Sequence, residues 1–188
     1  MFIKFVKLKN NKNMKNTLSQ LLFIILTTFI FSASSCHKEG PIPDLVPITT
    51  TGANTMGFYV DGVPHNKKGI YSFGNPDGVS WGKYADGKIN FWGGGGEPRG
   101  YLSISFYEVL GTKLFLLSKL STTTGLGEFI DDVPLGGNEY YTNENVTGTL
   151  EILRLDEHVI AGTFDIHLQN PNIGKIVHLT DGRFDIKQ

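Results

Sequence analysis

The chain lacks the cysteines that an internal disulfide needs, since Cys36 is the only one. Positions 1–35 also lack acidic residues and glycine, while they hold five lysines. From Cys36 onward the composition reverses: twelve basic and eighteen acidic residues give a net charge of −6, and all 23 glycines lie there. The 188 residues together carry a charge of only −1, so we exclude nucleic acid as a partner.

No apolar run reaches the ~20 residues that a membrane-spanning helix needs. The run Leu21–Phe31 has eleven residues and follows the lysine-rich stretch. That order and length are typical of the hydrophobic region of a secretory signal peptide. We therefore predict that residues 1–35 are a signal peptide.

Small residues stand directly before the only cysteine, in Ser32-Ala33-Ser34-Ser35-Cys36. This pattern resembles a lipobox, where a bacterial lipoprotein precursor is acylated on its cysteine and cleaved before it, although Ala33 stands where leucine is usual. Each buried methylene of an attached palmitate or similar chain adds ~0.8 kcal/mol of membrane affinity. We predict that Cys36 is lipidated and anchors an exported protein to the outer membrane of the cell envelope, on either face. The alternatives are an ordinary signal peptide with a chance cysteine, or an uncleaved N-terminal anchor.

Residues 36–50 are predicted to be a tether, because Pro41, Pro43 and Pro47 disfavour a regular helix. From residue 51 to 188, apolar residues alternate with polar ones at the period of a β-strand, as at Leu102, Ile104 and Phe106. We therefore predict an all-β fold class. The domain is expected to be a single antiparallel β-sandwich or a partly open β-barrel of about nine or ten strands.

Turn signals separate these strands. There are four Asp-Gly pairs, which are typical of type I′ hairpin turns, beginning at Asp61, Asp77, Asp86 and Asp181. The Thr- and Gly-rich stretch Ser121–Asn138 is predicted to be a long loop, and such loops often carry binding residues.

The two ends of the domain share a pattern with a known family. The stretch Thr51–Gly62 opens the domain, and Ile160–Ile166 with Thr180–Ile186 closes it. Together they resemble a family of small Bacteroidetes lipoproteins of unknown function, whose β domains start with Gly-x-Asn-Thr and end with Thr-x-Gly-x-Phe. The resemblance implies an exported, lipid-anchored, β-rich protein and supplies no catalytic residues.

We interpret the residues of these motifs as structural. Gly57 leaves room where chain segments cross, and Gly62 takes a positive φ in a turn. Phe164, Phe184 and Ile186 are predicted to fill the core.

One hairpin carries both tryptophans of the chain. If Asp86-Gly87 is a two-residue turn, Trp81 faces Trp92 and Lys83 faces Asn90, while the opposite face is apolar and buried. A pair of outward indoles beside polar groups suits sugar rings, so these four residues are the predicted ligand-binding site. The alternative is that the sheet is covered on both faces and the tryptophans are buried.

The last strands bring histidines together. Pairing Ile166 with Leu179 places His167 opposite His178, with Asp165 on the same face. Two imidazoles and a carboxylate can bind zinc or copper, yet no HxH, HExxH or CxxC spacing accompanies them, so we expect solvated histidines. The oxygen-rich stretch 128–139 lacks the calcium-loop pattern. We assign no metal ligand and no cofactor.

Catalytic motifs are lacking too: there is no Gly-x-Ser-x-Gly, and the glycines at 93–96 are not followed by the Lys-Ser/Thr of a phosphate loop. We therefore assign no catalytic residue. The sequence favours a lipid-anchored, non-catalytic binding module whose partners are the membrane, through Cys36, and a polysaccharide or an envelope protein. The alternatives are an accessory lipoprotein that docks on a partner protein, and an unrecognised hydrolase.

Overall fold

A computed structural model describes residues 45–72, 77–95, 98–108, 113–119, 121, 123–131 and 137–188. The predicted signal peptide and Cys36 lie outside these ranges. The described residues form strands and no helix, so they include no helix long and apolar enough to cross a membrane. The predicted all-β, antiparallel fold class is confirmed.

The described part of the chain forms eleven strands. These are β1 (Thr55–Val60), β2 (Val63–Lys68), β3 (Gly78–Lys83), β4 (Lys88–Gly94), β5 (Gly100–Tyr107), β6 (Leu114–Leu117), β7 (Leu126–Asp131), β8 (Glu139–Tyr141), β9 (Gly148–Leu155), β10 (Val159–Gln169) and β11 (Ile176–Lys187).

The strands make one sheet in the order β2-β1-β11-β10-β8-β7-β5-β4-β3, with β9 and β6 branching from β10. The two ends of this order meet where the chain leaves β2, because Ile70 bridges to Val79 of β3. There the Val79 amide donates to the Gly69 carbonyl at 2.9 Å, and the Tyr71 amide donates to the Val79 carbonyl at 3.1 Å. The sheet is therefore nearly closed and barrel-like.

Alternate residues of each strand point into the barrel and form one core. Its aromatic centre joins strands from opposite sides: Phe91 stacks on Phe184 with ring centroids 4.1 Å apart, and Phe164 lies beside Phe184 at 6.4 Å. Phe164, Phe184 and Ile186 are all buried, as predicted.

Strand β2 carries two ionisable side chains into the interior. His65 stacks on Phe58 with ring centroids 5.4 Å apart, and the Lys67 ammonium donates to the backbone carbonyls of Gly95 and Pro98. Burial, together with the charge of Lys67, lowers the pKa of His65 to about 4, so its imidazole is neutral at pH 7.

The described part of the predicted tether, residues 45–50, lies against the domain. Leu45 and Val46 are buried, and the Val46 amide donates to Asn66 Oδ1 at 2.9 Å. A Cβ on Gly57 would come within 2.8 Å of the Val46 side chain, so glycine is needed there as the sequence predicted. The packed domain therefore begins before residue 51.

Asp185 joins this N-terminal segment to β11. Asp185 is only 1% exposed. Its carboxylate accepts hydrogen bonds from the Thr49 hydroxyl at 2.6 Å, the Gly52 amide at 2.7 Å and the Ala53 amide at 3.1 Å. It also accepts from the backbone amide and the hydroxyl of Thr51. Burial alone would raise the pKa of Asp185, but these hydrogen bonds outweigh it and lower the pKa. The opening and closing motifs are thus bonded to each other, which supports their structural interpretation.

Two of the Asp-Gly pairs have different structures: one is a hairpin turn and the other is a bulge within a strand. Asp61-Gly62 forms the β1–β2 turn, with positive φ at both residues and Val60 paired with Val63, as expected. Asp181-Gly182 was expected to be a turn as well, but it lies inside β11 as a bulge. A bulge also favours a residue of positive φ, which Asp181 supplies at +52°, so the same dipeptide fits either structure.

The predicted loop Ser121–Asn138 was wrong for Leu126–Asp131. Strand β7 lies within it and pairs with β5 along its length. Gly127 weakened the strand pattern, although a Cβ there would only make close contacts, 3.3 Å from Thr142 and 3.4 Å from Ile166.

We predict that Asp185→Asn lowers the free energy of unfolding by about 2–3 kcal/mol, because several hydrogen-bond donors then lose their buried, charged acceptor. The carboxyl pKa is lower in the folded than in the unfolded state, so its contribution is present above the unfolded value of about 3.9 and lost as pH falls through the folded value. Urea unfolding at pH 7 and below pH 4 measures both effects.

Glu157→Gln is the matched control, since it neutralises an exposed carboxylate in the β9–β10 turn. Its unfolding free energy should change by less than about 0.5 kcal/mol. Equal stability of Asp185→Asn and Glu157→Gln at pH 7 would contradict the role given to Asp185.

Candidate functional site: an aromatic and polar row on the outer face

The loop between β3 and β4 decides which tryptophan faces outward. Tyr84 and Lys88 close the loop, with the Tyr84 amide donating to the Lys88 carbonyl at 2.8 Å. Three residues lie between them, and of Asp86 and Gly87 only Gly87 has a positive φ, at +83°. This is a three-residue loop ending in a left-handed glycine, and not the two-residue type I′ turn that was predicted.

One extra loop residue shifts the register by one position. Trp81 pairs with Phe91, and Trp92 pairs with Ser80, so the predicted Trp81–Trp92 pair does not form. Because successive side chains of a strand alternate between faces, the shift sends Trp81 into the core, where it is 5% exposed. The prediction that both tryptophans face outward was wrong. The alternative, that the tryptophans are buried, is correct for Trp81.

The same shift separates the other two predicted residues. Lys83 shares the side of β3 that carries Trp81, and its ammonium contacts Glu108 at the end of the strand. Asn90 lies two positions before Trp92 and shares its outer face. The structure therefore keeps Asn90 with Trp92 and removes Trp81 and Lys83 from the predicted site.

Trp92 belongs to a line of directly paired residues that crosses the outer face. We call it the Trp92 row, and it consists of Ser80 on β3, Trp92 on β4, Ser103 on β5, Glu128 on β7 and Tyr141 on β8. Neighbouring strands lie ~4.8 Å apart, so Trp92 and Tyr141 are about 14 Å apart across the sheet. The row thus places an indole and a phenol at two ends of a polar strip.

The indole of Trp92 has small neighbours on both sides. Ser80 and Ser103 are its direct partners on the adjoining strands; their side chains are short, and Trp92 is half-buried. Tyr71, which is 44% exposed, stands against Trp92 with ring centroids 6.3 Å apart and an angle of 73° between the planes. The two rings form a corner whose sides are both aromatic.

Fixed polar groups line the strip next to this corner. Asn90 Nδ2 donates to the hydroxyls of Ser103 at 2.9 Å and Ser105 at 2.8 Å, which orients all three side chains. Tyr101 adds a phenol on the same face, and burial raises the pKa of Tyr101, so its hydroxyl stays neutral.

Two carboxylates lie at the Tyr141 end of the row. The Tyr141 hydroxyl donates to Glu139 Oε2 at 2.8 Å, and Glu139 stands next to Glu128 in this part of the sheet. Burial raises the pKa of Glu128; a hydrogen bond from Tyr141 partly opposes this, and the charge of Glu139 adds to it. Burial and the Glu139 hydrogen bond raise the pKa of Tyr141. This end of the row therefore presents hydrogen-bond acceptors held by a neutral phenol.

Sequence reasoning missed Tyr71, Glu128 and Tyr141. Glu128 lies on β7, where a loop was predicted, and Tyr141 lies on β8, where no strand was expected. Without these strands, no cross-strand register could connect the two residues to Trp92. Tyr71 follows β2 and reaches Trp92 only through the closure of the barrel. Leu126–Asp131 does not alternate between apolar and polar residues, so period-two reasoning could not have revealed β7.

No family model, curated protein or solved structure matches this chain.

We predict that the two tryptophans differ in fluorescence. In Trp92→Phe only Trp81 remains, so emission should be blue-shifted and nearly insensitive to iodide, because that indole is in the core. In Trp81→Phe the remaining Trp92 should emit at longer wavelength and be quenched by iodide. Similar quenching of the two variants would contradict the observed register.

Proposed function

We propose that this protein is a lipid-anchored module of the cell envelope that binds glycans without transforming them, with the Trp92 row as its binding face. The observation that carries the proposal is the Tyr71–Trp92 corner at one end of an ordered polar strip. This site replaces the tryptophan pair expected from the sequence and keeps Trp92 and Asn90.

The chemistry of the row matches that of a sugar chain. A sugar ring has an apolar C–H face, which packs on an aromatic ring, and an edge of hydroxyls, which both donate and accept hydrogen bonds. Trp92 and Tyr71 offer the aromatic surfaces, while Asn90 and Glu128 offer polar groups and the buried Ser103 orients Asn90. The line of these groups across several strands favours an extended oligosaccharide over a single small molecule.

Export and anchoring belong to the same proposal. The lysine-rich start, the short apolar run and Cys36 after small residues support a lipoprotein signal, and the resemblance to small Bacteroidetes lipoproteins agrees with it. We propose attachment through Cys36 to the outer membrane. An anchored protein would meet polysaccharides of the envelope or its surroundings on this face.

A second candidate function is docking on an envelope protein. Strand β6 exposes Leu114 and Leu116, at 64% and 49%, on the side opposite its buried residues. Exposed leucines on one strand face suit a protein surface better than a sugar. Under this alternative no polysaccharide binds, and Leu116→Ser weakens the interaction with a partner protein while Trp92→Ala does not.

We predict that the full chain in detergent micelles binds at least one member of a panel of neutral and acidic soluble polysaccharides. Trp92→Ala should lose about 1–3 kcal/mol of binding free energy, a range typical of central aromatic anchors. Isothermal titration calorimetry measures the loss directly.

Trp81→Phe is the matched control, because the Trp81 indole lies in the core and its Nε1 has no hydrogen-bond partner within the described residues. This variant should bind like the parent protein. Equal loss in both variants, or no binding across the panel, would contradict the proposal. Release of new reducing ends would instead favour the hydrolase, with Glu128 as the carboxylate to test.

We predict that Cys36→Ser abolishes incorporation of radiolabelled palmitate when the full chain is expressed in a bacterium with lipoprotein processing. The parent protein should carry label and sediment with outer membranes, because acyl chains on Cys36 anchor it. Labelling that persists in Cys36→Ser, or an unlabelled parent protein, would contradict the predicted anchor.

A further inference from the structure

Two histidines and a carboxylate lie together on the outer face of β10 and β11. His167 lies directly opposite His178, in the register that apolar matching predicted. The His167 amide donates to the Thr147 carbonyl at 3.2 Å, and the His178 amide donates to Asp61 Oδ1 at 3.1 Å. Their backbone groups thus point away from each other, which is the antiparallel pairing that brings side chains closest.

The two imidazoles are in contact and have a carboxylate beside them. The rings stack with centroids 3.7 Å apart and an angle of 14° between the planes. Asp165, two positions before His167 on the same face, holds Oδ1 at 2.8 Å from His178 Nε2. One ligand atom from each of the three residues lies within 4.8 Å of the others. In this stacked arrangement no ion can lie in the plane of both rings, so binding requires the imidazoles to rotate out of the stack until all three ligand atoms face one ion.

The surroundings leave the cluster accessible. The side chains of His178 and Asp165 are 37% and 52% exposed, so an ion from solution can reach them. Asp165 also lines a pocket of about 300 Å³ with Thr149, Thr163 and Arg183, among others. Neither histidine lines this pocket, so solvent water would complete the coordination sphere of an ion held by the three residues. Three protein ligands with one open position are typical of reactive or exchangeable zinc sites and not of closed structural ones.

We propose that Asp165, His167 and His178 form a surface site for a divalent transition-metal ion, with zinc as the physiological occupant. Two imidazoles and one carboxylate are borderline ligands, which favour Zn²⁺ over Mg²⁺ or Ca²⁺. No sequence motif marks this site, because its ligands come from two strands. Only the cross-strand register brings them together. The site is independent of the glycan proposal and uses none of the residues of the Trp92 row.

Zinc titration of the full chain in detergent micelles, after removal of bound metal with a chelator, tests the proposal. The parent protein should bind one zinc ion that His167→Gln and His178→Gln each bind at least about tenfold more weakly. Asp165→Asn, which keeps the side-chain shape, should weaken binding in the same direction. Thermal unfolding without metal checks that each variant is folded.

His158→Gln is the matched control, because His158 is exposed in the β9–β10 turn away from the cluster. It should bind zinc like the parent protein. Cys36 and His37 stay unchanged in every variant, so any zinc they hold is a common background. Equal titrations of the parent and the His167→Gln and His178→Gln variants would overturn the proposal, as would a parent protein that binds no zinc.

Discussion

The arrangement of the sheet depends on the hydrogen bonds that the Asp185 carboxylate accepts from the N-terminal segment. Residues 49–53 have no strand partner of their own, and five donors from this segment converge on one buried side chain. The segment leads directly into β1, which pairs with β11 from Thr55 opposite Asp185. Strand β2 follows β1, and its continuation closes the sheet on β3. Closure in turn carries Tyr71 to Trp92, so a structural hydrogen-bond cluster indirectly positions the aromatic corner.

The proposed binding face depends on a one-residue shift in the pairing of β3 with β4. A three-residue loop in place of a two-residue loop exchanges the faces of Trp81 and Trp92 in the β3–β4 hairpin. The indole that remains outside has serines on both sides and a tyrosine against it, whereas the predicted pair would have been two indoles beside a lysine. The polar groups that accompany Trp92 come from β5, β7 and β8. The binding face is therefore a property of the whole sheet and not of one hairpin.

The sequence predicted strand register correctly where the packing of apolar side chains alone determines it. The β10–β11 register followed from Ile166 with Leu179 and Leu168 with Val177, because apolar residues on both strands must share the buried side. The β3–β4 register did not follow, since Asp-Gly fits two loop lengths and only the conformation of Asp86 distinguishes them. Strand β7 was missed because Leu126–Asp131 does not alternate between apolar and polar residues and Gly127 adds no side chain to its buried face. The pairing of β7 with β5 is visible only in the folded chain.

The most direct test of the central claim is ¹⁹F NMR of the protein labelled with 5-fluorotryptophan. The two tryptophans should give two resonances, assigned with Trp81→Phe. When a polysaccharide that binds is added, the account predicts that the Trp92 resonance shifts while the Trp81 resonance stays in place, because only Trp92 lies on the outer face. A shift confined to Trp81, or binding that moves neither resonance, would contradict the Trp92 row as the binding face.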